Sequence, residues 1–268
     1  MPTIKDEGVV IRVWDFSETS QTAWVFTRGH GLVRGLAKGA RRPRSRFSGG
    51  LDLLTLGEAV AIVKPSTDLA ELIEWDLREV FRAARRRLAA HHAALYFVDL
   101  VGHAITDRDP HERLYEALLA GLRRLEHASE DAPPMLRLAA LEATVRFQWS
   151  LLSETGYRPQ LHRDVLTGEA LGEATSYGFA VEGGGLTRDP GARGGESVLR
   201  VRAETVATLR AAEAGWGGEE AGALGKEGSL ERASRLLAHR INRVLGREPG
   251  SQRALLGAPA PRRGNPSG

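Results

Sequence analysis

The sequence predicts an α+β chain: an N-terminal five-stranded β-barrel of OB type, followed by an α-helical bundle domain with a loop-rich insertion. Three observations carry this. Short strand-like segments separated by turn residues fill residues 8 to 78, the apolar period changes to a helical one at Phe81, and both periods lapse from Gly156 to Gly195. At 268 residues, with 42% hydrophobic and 26% charged residues, the chain is long enough for more than one domain with its own core.

The strands come first. "GVVIRVWDF" is rich in β-branched and aromatic residues, and "TAWVFTR" and "GLVRGLAKG" follow at short intervals around the turn "TRGHG". A fourth strand is read in "EAVAIVKP" and a fifth in "LAELIEWDLR". Five short strands in so compact a stretch suit a small closed barrel better than an open sheet with exposed edges.

From Phe81 the residues Ala84, Leu88, His91, Leu95, Val98, Gly102 and Ile105 are spaced by threes and fours, which predicts one long helix. A second is predicted from His111 to His127, with Leu114, Leu118, Leu122 and Leu125 inward. A third follows Pro133 and Pro134 and carries Leu138, Leu141, Val145, Trp149 and Leu152. Two further helices are expected near Arg202 to Ala214 and Leu230 to Leu245. The expected organisation is a barrel over 1–79, helices over 80–155, a loop-rich lobe over 156–200, closing helices over 201–256 and a disordered Pro/Gly/Arg tail over 257–268.

Charge is unevenly placed. Residues 28 to 50 hold seven Lys or Arg and no acid, although the whole chain carries only +3, so the remainder is net acidic. Such a local excess makes a field that attracts phosphates or acidic tails. Arg34, Lys38, Arg41, Arg42, Arg44 and Arg46 have no carboxylate nearby in sequence, so their field is open to a partner unless distant acids fold over them. Gly35, Gly39, Gly49 and Gly50 permit close backbone approach, and Trp14, Phe16, Trp24 and Phe47 come from the same region. Arginines with aromatics on a small barrel are the chemistry of nucleic-acid binding, although the aromatics alone would suit a core. A second basic run, Arg82, Arg85 and Arg86, either extends this surface or is a solvated helix face.

Other function classes find little support. With no cysteine, disulfides, thiolate zinc sites and cysteine nucleophiles are excluded. No phosphate-binding loop, H-E-x-x-H or EF-hand spacing occurs, and Glu219 and Glu220 sit in a glycine-rich stretch without burial to shift a pKa. No apolar run approaches the ~20 residues that cross a bilayer, so a soluble, cytoplasmic chain with no membrane partner is expected.

The motifs resemble those of the bacterial RecO family of DNA repair and recombination proteins. The resemblance runs through Glu7 and Gly8, Glu18 and Ser20, Phe26 and Thr27, Gly31, the run Ala37-Lys38-Gly39-Ala40-Arg41 with Ser45, and later Leu152, Gly156, Tyr157, Pro159 and Leu161. It implies an OB fold followed by a helical domain and a role that is not enzymatic. It also implies binding and annealing of single- and double-stranded DNA at the nucleoid. As partners it implies the acidic C-terminal tail of single-stranded-DNA-binding protein, RecR and in some lineages RecF, in helping RecA onto DNA. Many members of that family carry a four-cysteine zinc site after the G-Y-x-P segment. Here the matching places read Asp164-x-x-Thr167 and Thr187-x-x-Pro190, so no metal and no other cofactor is expected, and His162 with Asp164 makes only a weak cation site. An OB-fold RNA-binding or ribosome-associated protein remains the alternative. A metal-dependent nuclease is disfavoured by the absence of acids between Gln21 and Leu51.

Overall fold

The computed structural model describes residues 3–63, 69–191, 198–216 and 223–257. Strands β1 (Thr3–Asp15), β2 (Gln21–Thr27) and β3 (Gly31–Ala37) form an antiparallel meander. β1 also pairs with β5 (Thr55–Ile62), and β5 with β6 (Ala70–Val80). β6 then pairs in parallel with β3 through Gly35, Leu36 and Ala37, so the ring of five pairings returns to its start. Glycine permits this closing contact, because a Cβ at Gly35 would lie 2.6 Å from Leu72 Cγ. A short strand that the sequence did not predict, β4 (Phe47–Ser48), pairs with Trp75 and Asp76 of β6. Two residues carry no period by which to be read.

The middle of β1, with β2 and β3, is covered on both faces, whereas β6 leaves Glu74, Asp76 and Arg78 exposed. Val10, Ala23, Val25, Val33 and Ala37 belong to one core with Phe47, Leu72 and Trp75, which fills the ring. Their neighbours Val9, Ile11, Phe26 and Leu32 face the other way and join the core of the helical region. One sheet face thus seats the helices, and strands with both faces covered read as nearly continuous apolar runs.

The single long helix expected from Phe81 is two helices. α1 (Ala83–Arg86) and α2 (Leu88–Ala104) are separated by Arg87, whose backbone is extended at φ −119° and ψ 116°. The Arg87 guanidinium donates to the Ser129 and Asp131 carbonyls, and Glu126 accepts the Ala83 N–H at 2.7 Å, which holds the break in place. The expected face is buried only in part: Phe81, Ala84, Val98 and Ile105 are inside, while His91, Leu95 and Gly102 are half-buried. Leu88 is 71% exposed, whereas Ala90, Ala93, Ala94, Phe97 and Val101 are buried. α2 packs against β1, α3 (Glu112–His127), α4 (Pro133–Glu154) and α7 (Gln252–Leu256), and a helix covered on several sides shows no single apolar stripe.

α3 and α4 follow the predicted helices, with Leu114, Leu118, Leu122 and Leu125 buried on one and Leu141, Val145, Trp149 and Leu152 on the other. The loop-rich segment also carries a three-stranded antiparallel sheet, β7 (Ser176–Ala180), β8 (Gly185–Thr187) and β9 (Val198–Arg202), in the order β8-β7-β9. Leu161, Tyr177, Phe179, Leu186 and Val201 tie it to the helical core. α5 (Ala203–Trp216) and α6 (Glu227–Leu245) complete the helical region, and α6 ends at Gly246 in the left-handed conformation, φ 67°. The tail expected to be disordered lies, beyond Gly257, outside the described residues.

Candidate nucleic-acid interface

The basic stretch is the connection from β3 to β4, and local bonds give it a defined shape. Arg42 N–H donates to the Gly39 carbonyl and Ser45 N–H to the Arg42 carbonyl, each at 3.0 Å, while the Ser45 hydroxyl donates to the Ala40 carbonyl at 3.0 Å. Gly39 turns the chain at φ 66°. Two bonds fasten the loop to the β1–β2 turn: Gly39 N–H to Ser20 Oγ at 3.2 Å and Arg41 N–H to the Thr19 carbonyl at 3.1 Å. Ala40 near its start, and Phe47 and Leu51 at and just past its far end, enter the ring core. The backbone is anchored at both ends, and the side chains of Arg41, Arg42, Arg44 and Arg46 stand exposed.

Its six cations divide into two groups. Arg34 contacts Asp107 at 2.8 Å, Lys38 contacts Glu71 at 3.3 Å and Arg41 contacts Asp15 at 2.5 Å. Asp107 and Glu71 are distant in sequence and are brought up by the α2–α3 connection and by β6. Arg42, Arg44 and Arg46 have no carboxylate partner among the described residues. These three make the loop's uncompensated field. Of the second basic run, Arg85 pairs with Asp52 at 2.8 Å and donates to the Leu53 carbonyl at 3.0 Å, while Arg82 and Arg86 are exposed with no carboxylate partner among the described residues.

The four aromatics of the region also separate. Phe47 is a core residue at 6% exposure. Trp24 lies half-buried at the junction with the helices. The Arg34 guanidinium lies 3.9 Å from its ring centre and that of Arg12 4.9 Å, with Gly102 of α2 close by. Arg12 in turn pairs with Asp99 at 2.9 Å, and Asp99 also accepts from the Ser251 N–H and hydroxyl. Trp14 and Phe16 remain in solvent, 45% and 64% exposed. Sequence reasoning grouped these four rings, and only strand register tells them apart.

The places where the family resemblance puts zinc thiolates hold a different arrangement. Asp164 is 2% exposed, and its carboxylate accepts from Leu166 N–H (2.9 Å), Thr167 N–H (3.2 Å), Arg188 N–H (2.9 Å) and the Thr187 hydroxyl (2.9 Å). These bonds hold its carboxyl below the usual carboxylate range, against a burial that works the other way. The donor set does not fit a four-thiolate zinc, and the one anionic ligand is already saturated by donors from both loops. His162, offered with Asp164 as a weak cation site, points instead to Glu213 at 2.7 Å. Among the described residues no group of three or more His, Asp or Glu is placed to hold a metal, and no helix is long and apolar enough to cross a membrane.

A cleft of about 550 Å³ opens elsewhere in the helical region, between α2, α4, α6 and α7. Leu88, Leu136, Leu141 and Leu255 line it, with Arg87 and Arg235 also on its wall.

Comparison with known proteins gives a consistent result. The family described as "Recombination protein O N terminal" matches residues 1–81, and "Recombination protein O C terminal" matches residues 85–253. A DNA repair protein RecO from Rhodopirellula baltica is 32% identical over 180 residues, 67% of this chain and 63% of its own length. Its counterpart from Anaeromyxobacter dehalogenans is 33% identical over 186 residues, 69% of this chain and 70% of its own. One from an Azoarcus strain is 28% identical over 255 residues, 92% of each chain.

Proposed function

The chain belongs to the RecO family, and on that premise we propose that it is a non-catalytic mediator of DNA repair and homologous recombination. In this reading it binds single- and double-stranded DNA, anneals complementary strands and, with RecR, helps RecA onto DNA coated with single-stranded-DNA-binding protein. The observation that supports DNA contact most directly is the anchored β3–β4 loop, which presents Arg42, Arg44 and Arg46 without a carboxylate partner among the described residues. A fixed backbone bearing free guanidiniums binds phosphate oxygens without reading base sequence.

Three phosphate contacts release about two counterions on a single strand, at ~0.7 each, so reversing these charges should flatten the slope of log K against log salt by about 2. The variant Arg42→Glu/Arg44→Glu/Arg46→Glu tests this, with an unchanged slope excluding the loop. Annealing of DNA coated with single-stranded-DNA-binding protein, with and without that protein's C-terminal tail, tests the role itself. Tighter binding of RNA than DNA, with no annealing, would favour an RNA-binding module.

For the acidic, apolar-ended tail the cleft beside α7 is the most suitable receptor. Its leucines offer an apolar floor, and Arg235 has no carboxylate partner among the described residues. Leu88→Asp and Arg235→Glu should each weaken capture of a tail peptide and leave binding of bare DNA intact.

A further inference from the structure

Trp14 and Phe16 are large apolar side chains that the fold leaves in water. Their position explains why they are uncovered. On the outward face of the meander, the register aligns Arg12, Trp24 and Arg34 in one row, and Trp14, Thr22 and Leu36 in the next. The helical region closes over the first row and the strand residues beyond it, through Asp99, Gly102 and Asp107. The second row lies past that edge. Trp14 is held there by an edge-to-face contact with Trp24, ring centres 5.4 Å apart at 68°, so its orientation is set although its face is open.

The same end of the sheet carries the basic loop. Arg41 pairs with Asp15, between the two rings in sequence, and the loop backbone is bonded to Thr19 and Ser20 of the turn that follows Phe16. Two exposed rings and three uncompensated guanidiniums therefore share one end of the strands. Each group suits a different part of one ligand: the cations suit phosphates, and the rings suit flat apolar faces that a duplex keeps stacked inside.

We propose that Trp14 and Phe16 form a stacking platform for unpaired nucleobases, and that they, rather than the loop cations, give the site its preference for single strands. The inference rests on the loop reading above, because without phosphate contacts nothing would bring bases to the rings. The loop cations act on single strands and duplexes alike. The rings act only where a base can leave its stack, which holds an unpaired strand in place while its complement is found.

The test is binding of a thymidine oligomer, a blunt duplex and an abasic oligomer of equal length by the full chain, in one buffer, with Trp14→Ala, Phe16→Ala, Trp14→Phe and the loop triple variant. Trp14→Ala and Phe16→Ala should each lower affinity for the thymidine oligomer by roughly 5- to 150-fold, the range for loss of one stacked base. Duplex affinity, abasic-strand affinity and the salt slope should stay within about twofold. Trp14→Phe keeps a ring and should retain most of the affinity, and an unchanged melting temperature shows that the fold is intact. Equal losses on all three ligands, or no loss on the thymidine oligomer, overturn the platform. If the loop variant alone leaves every affinity unchanged, it is the loop reading that fails, and the two results are distinguishable.

Discussion

Replacing Asp164 tests whether a carboxylate has taken over the work of a metal in the lobe. Its oxygens receive three backbone N–H groups and one hydroxyl, from the chain around 166–167 and around 187–188. Asp164→Ala removes the acceptor for all four. Hydrogen bonds to a charged group contribute roughly 1.5–3 kcal/mol each, but the donors near the exposed Leu166 can turn to water, so a loss of about 3–4 kcal/mol is expected. Asp164→Asn should cost about 2 kcal/mol, because its amide nitrogen must face N–H donors whichever oxygen it replaces, although the Thr187 hydroxyl can turn to accept. Since Leu186 and Phe179 share the helical core, the loss should appear in global unfolding. With a urea m-value near ~3 kcal/mol/M the midpoint should fall by about 1 M for Asp164→Ala. The folded-state pKa is depressed, so the stabilisation is complete above the unfolded carboxylate value of about 3.9 and is lost as pH falls below it. The reasoning fails if Asp164→Ala unfolds within about 0.5 kcal/mol of the parent, or if a zinc chelator lowers the parent's melting temperature.

Three further outcomes follow from local geometry. Gly31 and Gly39 share φ 66°, yet a Cβ at Gly31 would lie 2.1 Å from the Asp109 carbonyl oxygen, whereas at Gly39 it meets only the Arg42 side chain at 3.2 Å. Gly39→Ala should cost the left-handed penalty alone, ~1–2 kcal/mol, and Gly31→Ala clearly more in the same denaturant titration; equal costs would contradict the clash. Burial pushes the hydroxyls of Tyr96 and Tyr115 well above the usual tyrosine value, so stability is complete below the unfolded value of about 10 and falls as pH rises above it, where the unfolded chain ionises and the folded one does not. Ultraviolet titration of the four tyrosines should therefore show fewer than four ionising reversibly by pH 11, with the rest released on unfolding. Asp99→Ala should loosen the N-terminal sheet from α2, read as faster hydrogen exchange along β1 and a loss of about 1–3 kcal/mol, and Arg12→Ala added to it should cost little more.

The fold was legible where one face of an element meets the core. α3 obeys its four-leucine stripe because its other face is in water. α2 does not, and neither Leu88 nor the break at Arg87 could be read, because the break depends on carbonyls at Ser129 and Asp131 more than forty residues away. The strands were found because β-branched runs between turns need only local chemistry. β4 was missed because its two residues are a strand only through their pairing to Trp75 and Asp76.

The same boundary divides the candidate site. That the loop is basic is a property of the sequence; which of its cations are free is a property of the fold. Arg34 and Lys38 lose their uncompensated charge to Asp107 and Glu71, the distant acids whose return the sequence could neither require nor exclude. Composition likewise presents Trp14, Phe16, Trp24 and Phe47 as equals. Register then sends Phe47 into the ring and Trp24 under α2, and leaves the two rings nearest the β1–β2 turn beyond the edge of the helices. The surface proposed for nucleic acid is therefore what remains after the helical region has covered most of the same sheet face. A site defined by subtraction can be located only once the covering element is in place, and here three free cations of the loop and the open rings of Trp14 and Phe16 remain together at the end of the strands that the loop and the turn share.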